Sequence, residues 1–234
     1  MNEVICLFCK VKGNQQCRMP IICLIFSTKC SIIVFTGENM IKTIGMLHDE
    51  LIEYSNPGSK VSRMVKQGEL FPIIRGLYET DRNASGLYMC MMICGPSYIS
   101  FESALSYYSL IPEAVRQYTS ATYGKRREKR YSTMFGSFLY HDVVSQAYPF
   151  GIDWHQENGH GFLIASPEKA LCDELYKTSP LGNRKELEAW LFEDMRIDMS
   201  EFRKLDKKKL AWLSGLYHAQ NHRLLNNYIT RMPL

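Results

Sequence analysis

Residues 56 to 79 read NPGSKVSRMVKQGELFPIIRGLYE, and this stretch leaves its backbone little freedom. Asn56 has the side chain to cap a helix, and Pro57 suits the first helical position, where its missing N–H has no partner to lose. Val61, Met64 and Val65 recur at the helical period toward one side, and Gly68 supplies the residue at which such a helix stops. The spacing predicts a helix over 57–67. Leu70 to Ile74 and Leu77 to Thr80 are then two short extended runs around Arg75-Gly76. They predict a hairpin whose first strand, carrying Pro72, lies at a sheet edge, because proline has no N–H to donate to a ladder.

Upstream, IKTIGMLHDELIEY places Ile44, Leu47, Leu51 and Tyr54 at i, i+3, i+7 and i+10, the stripe of a first helix that Ser55-Asn56-Pro57 ends. Helix, helix and an Arg-tipped hairpin make the order of a winged helix-turn-helix over residues 40–82. Ser59, Lys60, Ser62, Arg63 and Lys66 on the second helix, with Arg75 on the wing, are the candidate DNA-binding residues. Short hydroxyl and cationic side chains contact phosphates, a helix fits the major groove, and a wing Arg reaches the adjacent backbone or minor groove. A merely solvated helix face would present the same residues. Charge segregation favours nucleic acid: residues 40–80 hold five basic and five acidic residues, the acids mainly in the first helix and the bases in the second.

The remaining length decides how much else the chain holds. At 234 residues, 46% hydrophobic and 22% charged, it is a globular chain with room for a small domain and a medium one. A net charge of +4 names no partner by itself. Cys6, Cys9, Cys17, Cys23 and Cys30 crowd the first 30 residues, whereas Cys90, Cys94 and Cys172 read as reduced core residues of a cytoplasmic protein. The apolar run MPIICLIFSTKCSIIVF approaches a membrane thickness, but Lys29 near its middle costs about 3 kcal/mol, and no cleavage site follows. Cys6-x-x-Cys9 lacks the matched second pair of a structural zinc site. Residues 1–39 therefore read as an atypical extension, with the native chain starting at Met40; no membrane, metal or cofactor is expected.

Residues 83–234 alternate between elements. GPSYISFESALSYYSLIPE caps a helix with Ser100, puts Glu102 in its first turn and lines up Phe101, Ala104, Leu105 and Tyr108. TSATYGKRREKRYSTMFGSFLYHDV reads as two extended runs around a polar turn, and GFLIA as a short buried strand. SPEKALCDELY starts a helix at Ser166-Pro167, with Glu168 near the positive end of the dipole and Lys169 a surface partner for Asp173 at i+4. NRKELEAWLFEDM and KKKLAWLSGLYHA continue the helical tail, the first with Asn183 and Glu186 at capping-box spacing. The pattern is that of an α+β domain.

Lys125, Arg126, Arg127, Lys129 and Arg130, interrupted only by Glu128 and flanked by Tyr123 and Tyr131, are either a nucleic-acid patch or a solvated hairpin tip. GIDWHQENGHG gathers Asp153, His155, Glu157 and His160, but a loop there would hold no ligand geometry. The chain carries no P-loop, no Gly-x-Ser-x-Gly and no His-Glu-x-x-His, and Cys172 faces the apolar side of a helix, so no catalytic residue is expected.

Taken in order, KVSRMVKQGEL…RGLY, GPSYISFESAL…YSLIPE, TSAT, the basic stretch with YSTMFGSFLYH, and IASPEKALCDELY resemble the AbiEi-type antitoxin family over residues 41–220. The most specific blocks contain Pro96, Ser97, Tyr98, Ser100, Glu102 and Ser103, and then Ser166, Pro167, Glu168 and Lys169. The resemblance implies a bacterial type IV toxin–antitoxin, or abortive-infection, component used in phage defence. It implies a winged helix-turn-helix that binds operator DNA and represses its own operon. A larger mixed α/β antitoxin domain would counteract a nucleotidyltransferase-like toxin without a stable complex. Two helices precede the wing where the family usually has three. The alternative is an RNA-binding module without promoter binding.

Overall fold

The computed structural model describes residues 22–24, 31–33, 41–112, 117–157 and 160–231. The chain divides into two compact units, Met1–Glu38 and Asn39–Leu234. In the first, β1 (Ile22–Leu24) pairs antiparallel with β2 (Ser31–Ile33). The zinc, membrane-span and extension expectations for residues 1–39 otherwise lie outside the described residues. Among those described, no helix is long and apolar enough to cross a membrane.

The second unit begins with β3 (Lys42–Thr43), α1 (Ile44–Glu50), α2 (Pro57–Gln67), β4 (Phe71–Ile74) and β5 (Leu77–Glu79). The predicted bracket around α2 holds: Asn56 Oδ1 accepts from Ser59 N at 3.0 Å, and Gly68 closes the helix at φ 74°, the left-handed region glycine enters without steric cost. The first helix differs from its expected stripe. Lys42 and Thr43 pair with Tyr78 and Leu77, so a strand takes the first residues and Thr43 caps a helix that ends at Glu50. Ile44 and Tyr54 are consequently exposed, and Leu47, Val61 and Leu70 form the small core with Leu51, Met64, Val65 and Tyr78 against it. The sheet order β3-β5-β4 leaves Pro72 on an edge strand, as its missing donor requires.

α3 (Gly86–Ile93), β6 (Tyr98–Ile99), α4 (Phe101–Tyr107), β7 (Gln117–Thr122), β8 (Lys129–Thr133), β9 (Gly136–Asp142), β10 (Ile152–Glu157), β11 (His160–Ala165) and α5 (Pro167–Lys177) follow. α6 (Arg184–Ala189) runs into a π-helical turn, Trp190–Asp194, before α7 (Met199–Lys204), α8 (Lys207–Gly215) and α9 (Gln220–Thr230). The six strands lie in the order β10-β11-β6-β7-β9-β8, with β11/β6 and β7/β9 parallel and the other neighbours antiparallel. The unit is mixed α+β.

Two expectations about strands are overturned. The basic segment is no hairpin tip, because β7 pairs with β9 and the chain between β7 and β8 crosses to the sheet edge before returning. GIDWHQENGHG is no loop either: Asp153, His155 and Glu157 alternate along β10, paired with β11. The sequence signal was obscured there by three glycines and six polar side chains in GIDWHQENGHG, whose strand β10 pairs on one edge only. His155 is held by the hydroxyls of Tyr107 and Tyr108 at 3.2 and 3.3 Å, and no group of three possible metal ligands occurs among the described residues.

Glu79 ties the first helices and hairpin to the larger sheet. Its carboxylate is fully buried and accepts from Thr80 N at 2.7 Å, from Asp81 N at 3.0 Å and from the Tyr88 hydroxyl. Tyr88 in turn stacks on His160 at 4.3 Å between ring centroids.

Candidate functional site

Ser59, Ser62, Arg63 and Lys66 all emerge on the solvent side of α2, opposite buried Val61. The helix uses part of this set itself. Ser59 N is engaged by the Asn56 cap, and Ser62 Oγ turns back to donate to Gly58 O at 3.0 Å. Lys60 is half-buried, its Nζ 5.5 Å from the centre of the Tyr54 ring. Arg63 and Lys66, one turn apart, and Arg75 in the β4–β5 turn are exposed and have no ion pair or hydrogen bond to described residues. These three cations are the open part of the surface.

The β7–β8 segment is organised by its backbone and by acids. Asp142 Oδ2 accepts from Arg126 N at 2.6 Å, holding Arg126 at φ 65°, and Asp142 Oδ1 accepts from Thr122 Oγ1 at 2.7 Å. A non-glycine residue in that region costs conformational energy that the Asp142 bonds offset. Lys125 Nζ donates to Gly95 O at 3.0 Å, and Arg130 pairs with Glu128 at 2.9 Å. Arg126, Arg127 and Lys129 keep side chains without a partner among the described residues.

The two motif blocks meet in the core. Lys169 and Asp173 are an ion pair at 2.9 Å, as the i+4 spacing suggested, but both side chains have zero exposure rather than lying at the surface. Residues Glu168 to Leu175 are all buried, because α5 packs between the sheet, α4, α8 and α9. A helix covered on all sides gives no amphipathic stripe from which this burial could be read. Asp173 Oδ2 accepts from Tyr98 OH at 3.0 Å and Ser100 Oγ at 2.6 Å, and Oδ1 accepts from Lys169 Nζ and the Tyr217 hydroxyl. Lys169 Nζ also lies 5.6 and 4.9 Å from the Tyr98 and Tyr217 ring centres. Burial, and then the Asp173 charge, pushes both phenols well above their ordinary range. The network needs no ligand to be satisfied, and Tyr217 is its member that motif spacing did not single out.

Ser100 is the α4 cap position by backbone only: its hydroxyl makes no capping bond and serves Asp173 instead. Ser103 Oγ accepts from Thr119 N at 2.7 Å and donates to Gln117 O at 3.1 Å, fixing α4 to β7. Ser97 Oγ donates to Cys90 O at 3.2 Å, while Pro96 is exposed. Ser166 caps α5 with Pro167 at its start. Burial raises Glu168, but hydrogen bonds from its own and the Asp206 N–H and the nearby Lys209 ammonium outweigh that and hold it below the usual range.

A second ionic group joins α4 to α5. Lys177 Nζ lies 2.7 Å from Glu102 and 3.0 Å from Glu174, and the other oxygen of each carboxylate is buried without a hydrogen bond. Burial, then the Glu102 charge, pushes Glu174 up to about 7. Glu102 falls below its ordinary value, since Lys177 overcomes the effect of burial. Burial and Lys177 together lower the neighbouring His141. The group is a charge clamp between helices. Cys90 is fully buried, and burial pushes its thiol up to about 12, away from the thiolate form.

No protein-family model matches the chain, and no curated protein matches it significantly.

Proposed function

We propose that this protein is a cytoplasmic, DNA-binding antitoxin that represses its own operon, with α1, α2 and the β4–β5 hairpin forming a winged helix-turn-helix. The observation that carries the reading is the open placement of Arg63 and Lys66 on one face of α2 and of Arg75 at the adjoining hairpin turn. β3 closing on β5 supports the same assignment, since it joins the start of the helix pair to the wing. Duplex DNA offers phosphates to all three cations while α2 meets the groove. The antitoxin role, against a nucleotidyltransferase-like toxin and without a stable complex, rests on the sequence resemblance. Neither catalysis nor a cofactor forms part of the proposal.

The test pairs a promoter–reporter assay with toxin co-expression, supplying the protein from an unrelated promoter. Arg63→Ala/Arg75→Ala should abolish repression and spare rescue. A folded variant that still represses but no longer rescues would refute the division of labour, and equal binding to unrelated DNA at every salt concentration would refute a specific repressor. A second reading, an RNA-binding module without promoter binding, is favoured by the open side chains of Arg126, Arg127 and Lys129. A wild-type protein that neither shifts nor represses its promoter but binds RNA, and loses that binding on Ser replacement of Lys125, Arg126, Arg127, Lys129 and Arg130, would support it.

A further inference from the structure

The sequence RKLDKKK, residues 203–209, contains five basic residues and one acidic one, 5 − 1 = +4, which equals the net charge of the whole chain. Lys207, Lys208 and Lys209 occupy the first turn of α8, where the helix dipole is positive and cations are disfavoured. Asp206 accepts from Lys208 N at 2.9 Å and Lys209 N at 3.0 Å, so its carboxylate serves the helix cap. Of the three lysines, Lys209 approaches Glu168 at 3.2 Å, while Lys208 is exposed and has no partner among the described residues. One turn along the helix, about 5.4 Å of axis, stands Trp212.

Trp212 is 53% exposed, the most open aromatic ring of the second unit's core-forming helices, and Phe150 beside it is 37% exposed. The rings meet edge to face with centroids 5.2 Å apart and planes at 74°, which fixes the indole yet leaves it open to solvent. Leu210, Leu213 and Ser214, on the other side of α8, are buried, so the large exposed apolar groups here are these two rings. That is too little to anchor a membrane surface, which takes a whole apolar helix face. It suits one or two stacked bases, with a phosphate answering the adjacent Lys208 ammonium.

We propose that Trp212, Phe150 and Lys208 in the first turn of α8 bind single-stranded nucleic acid. The surface is carried by elements other than α2, the hairpin turn and the β7–β8 segment, and it holds whether or not the promoter is bound. Unpaired bases are required because those in a duplex are already stacked on one another. The surface takes any sequence, since every base has a face to stack.

Fluorescence anisotropy of labelled oligo(U) and oligo(dT) of about 12 nucleotides, within the site sizes of known single-strand binders, tests this with the full-length protein. Binding of either oligomer is expected, with Trp212→Ala weakening it about tenfold and Trp212→Phe retaining most of it. Lys208→Ser should lower the slope of log K against log salt by about 0.7, a change the Trp212 variants should not share. Matching melting curves would establish that the variants fold. Failure of the wild type to bind either oligomer overturns the proposal, as does wild-type affinity in Trp212→Ala. Loss of binding in Arg126→Ser/Arg127→Ser with retention in Trp212→Ala would place the strand on the β7–β8 segment and also overturn it. So would Trp212-dependent binding to phosphatidylglycerol vesicles without oligomer binding, which would identify a lipid surface. None of these outcomes touches promoter repression.

Discussion

Lys169 and Asp173 face each other at 2.9 Å one turn apart on α5, and neither reaches solvent. Desolvation of two charges offsets most of their attraction, but removing one partner strands the other in the core. Lys169→Met should therefore cost about 3–5 kcal/mol. Lys169→Met/Asp173→Leu should cost less, although the hydroxyls of Tyr98, Ser100 and Tyr217 would then lack their shared acceptor. Urea unfolding measures both. A double variant no more stable than the single one would show that the hydroxyl network, not the ion pair, dominates.

Protonation at Glu174 sets one limb of the stability profile. Its folded-state value of about 7 exceeds the ordinary 4.5, so the folded chain holds this proton more tightly. The contribution is complete below 4.5 and is lost as pH rises through about 7. His222 acts in the opposite sense: burial lowers it from 6.5 to about 4, so its contribution is complete above 6.5 and is lost as pH falls through about 4. Glu174→Gln should remove the decline between pH 4.5 and 7 and melt higher than wild type above that range, while keeping the acid-side loss. Parallel melting profiles for the two proteins would contradict the assignment to Glu174.

On α2 the cations should not be equivalent. Lys60 leans over Tyr54, whereas Arg63 and Lys66 stand free. Each phosphate contact contributes about 0.9 to the slope of log K against log salt. Arg63→Ala and Lys66→Ala should each lower the slope for promoter DNA by about that amount, and Lys60→Ala by less. Mobility shifts over a salt series give the slopes, and a larger change for Lys60 would move the contact surface around the helix.

Gly86 opens α3 against the ring of Tyr118, and an added Cβ would lie 2.1 Å from Tyr118 Cε2. Alanine ordinarily stabilises a helix over glycine by about 1 kcal/mol. Here Tyr118 is also stacked on Phe138 at 5.1 Å and has little room to retreat. Gly86→Ala should destabilise by about 1–3 kcal/mol through overpacking. A rise in melting temperature would mean that Tyr118 yields freely.

Local chemistry was the legible part of this fold. Asn56, Pro57 and Gly68 bound α2, Ser166 and Pro167 start α5, and Arg75-Gly76 turns the hairpin, each through contacts a few residues apart. What escaped was set by distant partners. Lys42 and Thr43 form a strand only because Tyr78 and Leu77 lie beside them, and β10 is a strand only through β11. At the candidate DNA surface the residue types were legible, but the diversion of Lys60 onto Tyr54 and of Ser62 onto Gly58 was not. The Lys169–Asp173 spacing was visible in sequence, whereas its burial depends on α8 and α9, more than thirty residues downstream.

The buried carboxylate of Glu79 bears on how this chain could be recombined. A cut at residue 82 looks like a clean seam between the proposed DNA-reading cassette and the rest of the chain. Yet Glu79 lies on the cassette's last strand, while Tyr88, which donates to it, stands on the far side of the cut and is stacked on His160. A chimera that kept residues 40–82 and exchanged the rest would lose one of the donors to Glu79, and the recipient left behind would expose the Tyr88–His160 stack. Transplants that carry α3 and the β10–β11 hairpin along with the cassette should stay soluble where the shorter exchange does not. The unit of exchange is larger than the proposed unit of recognition.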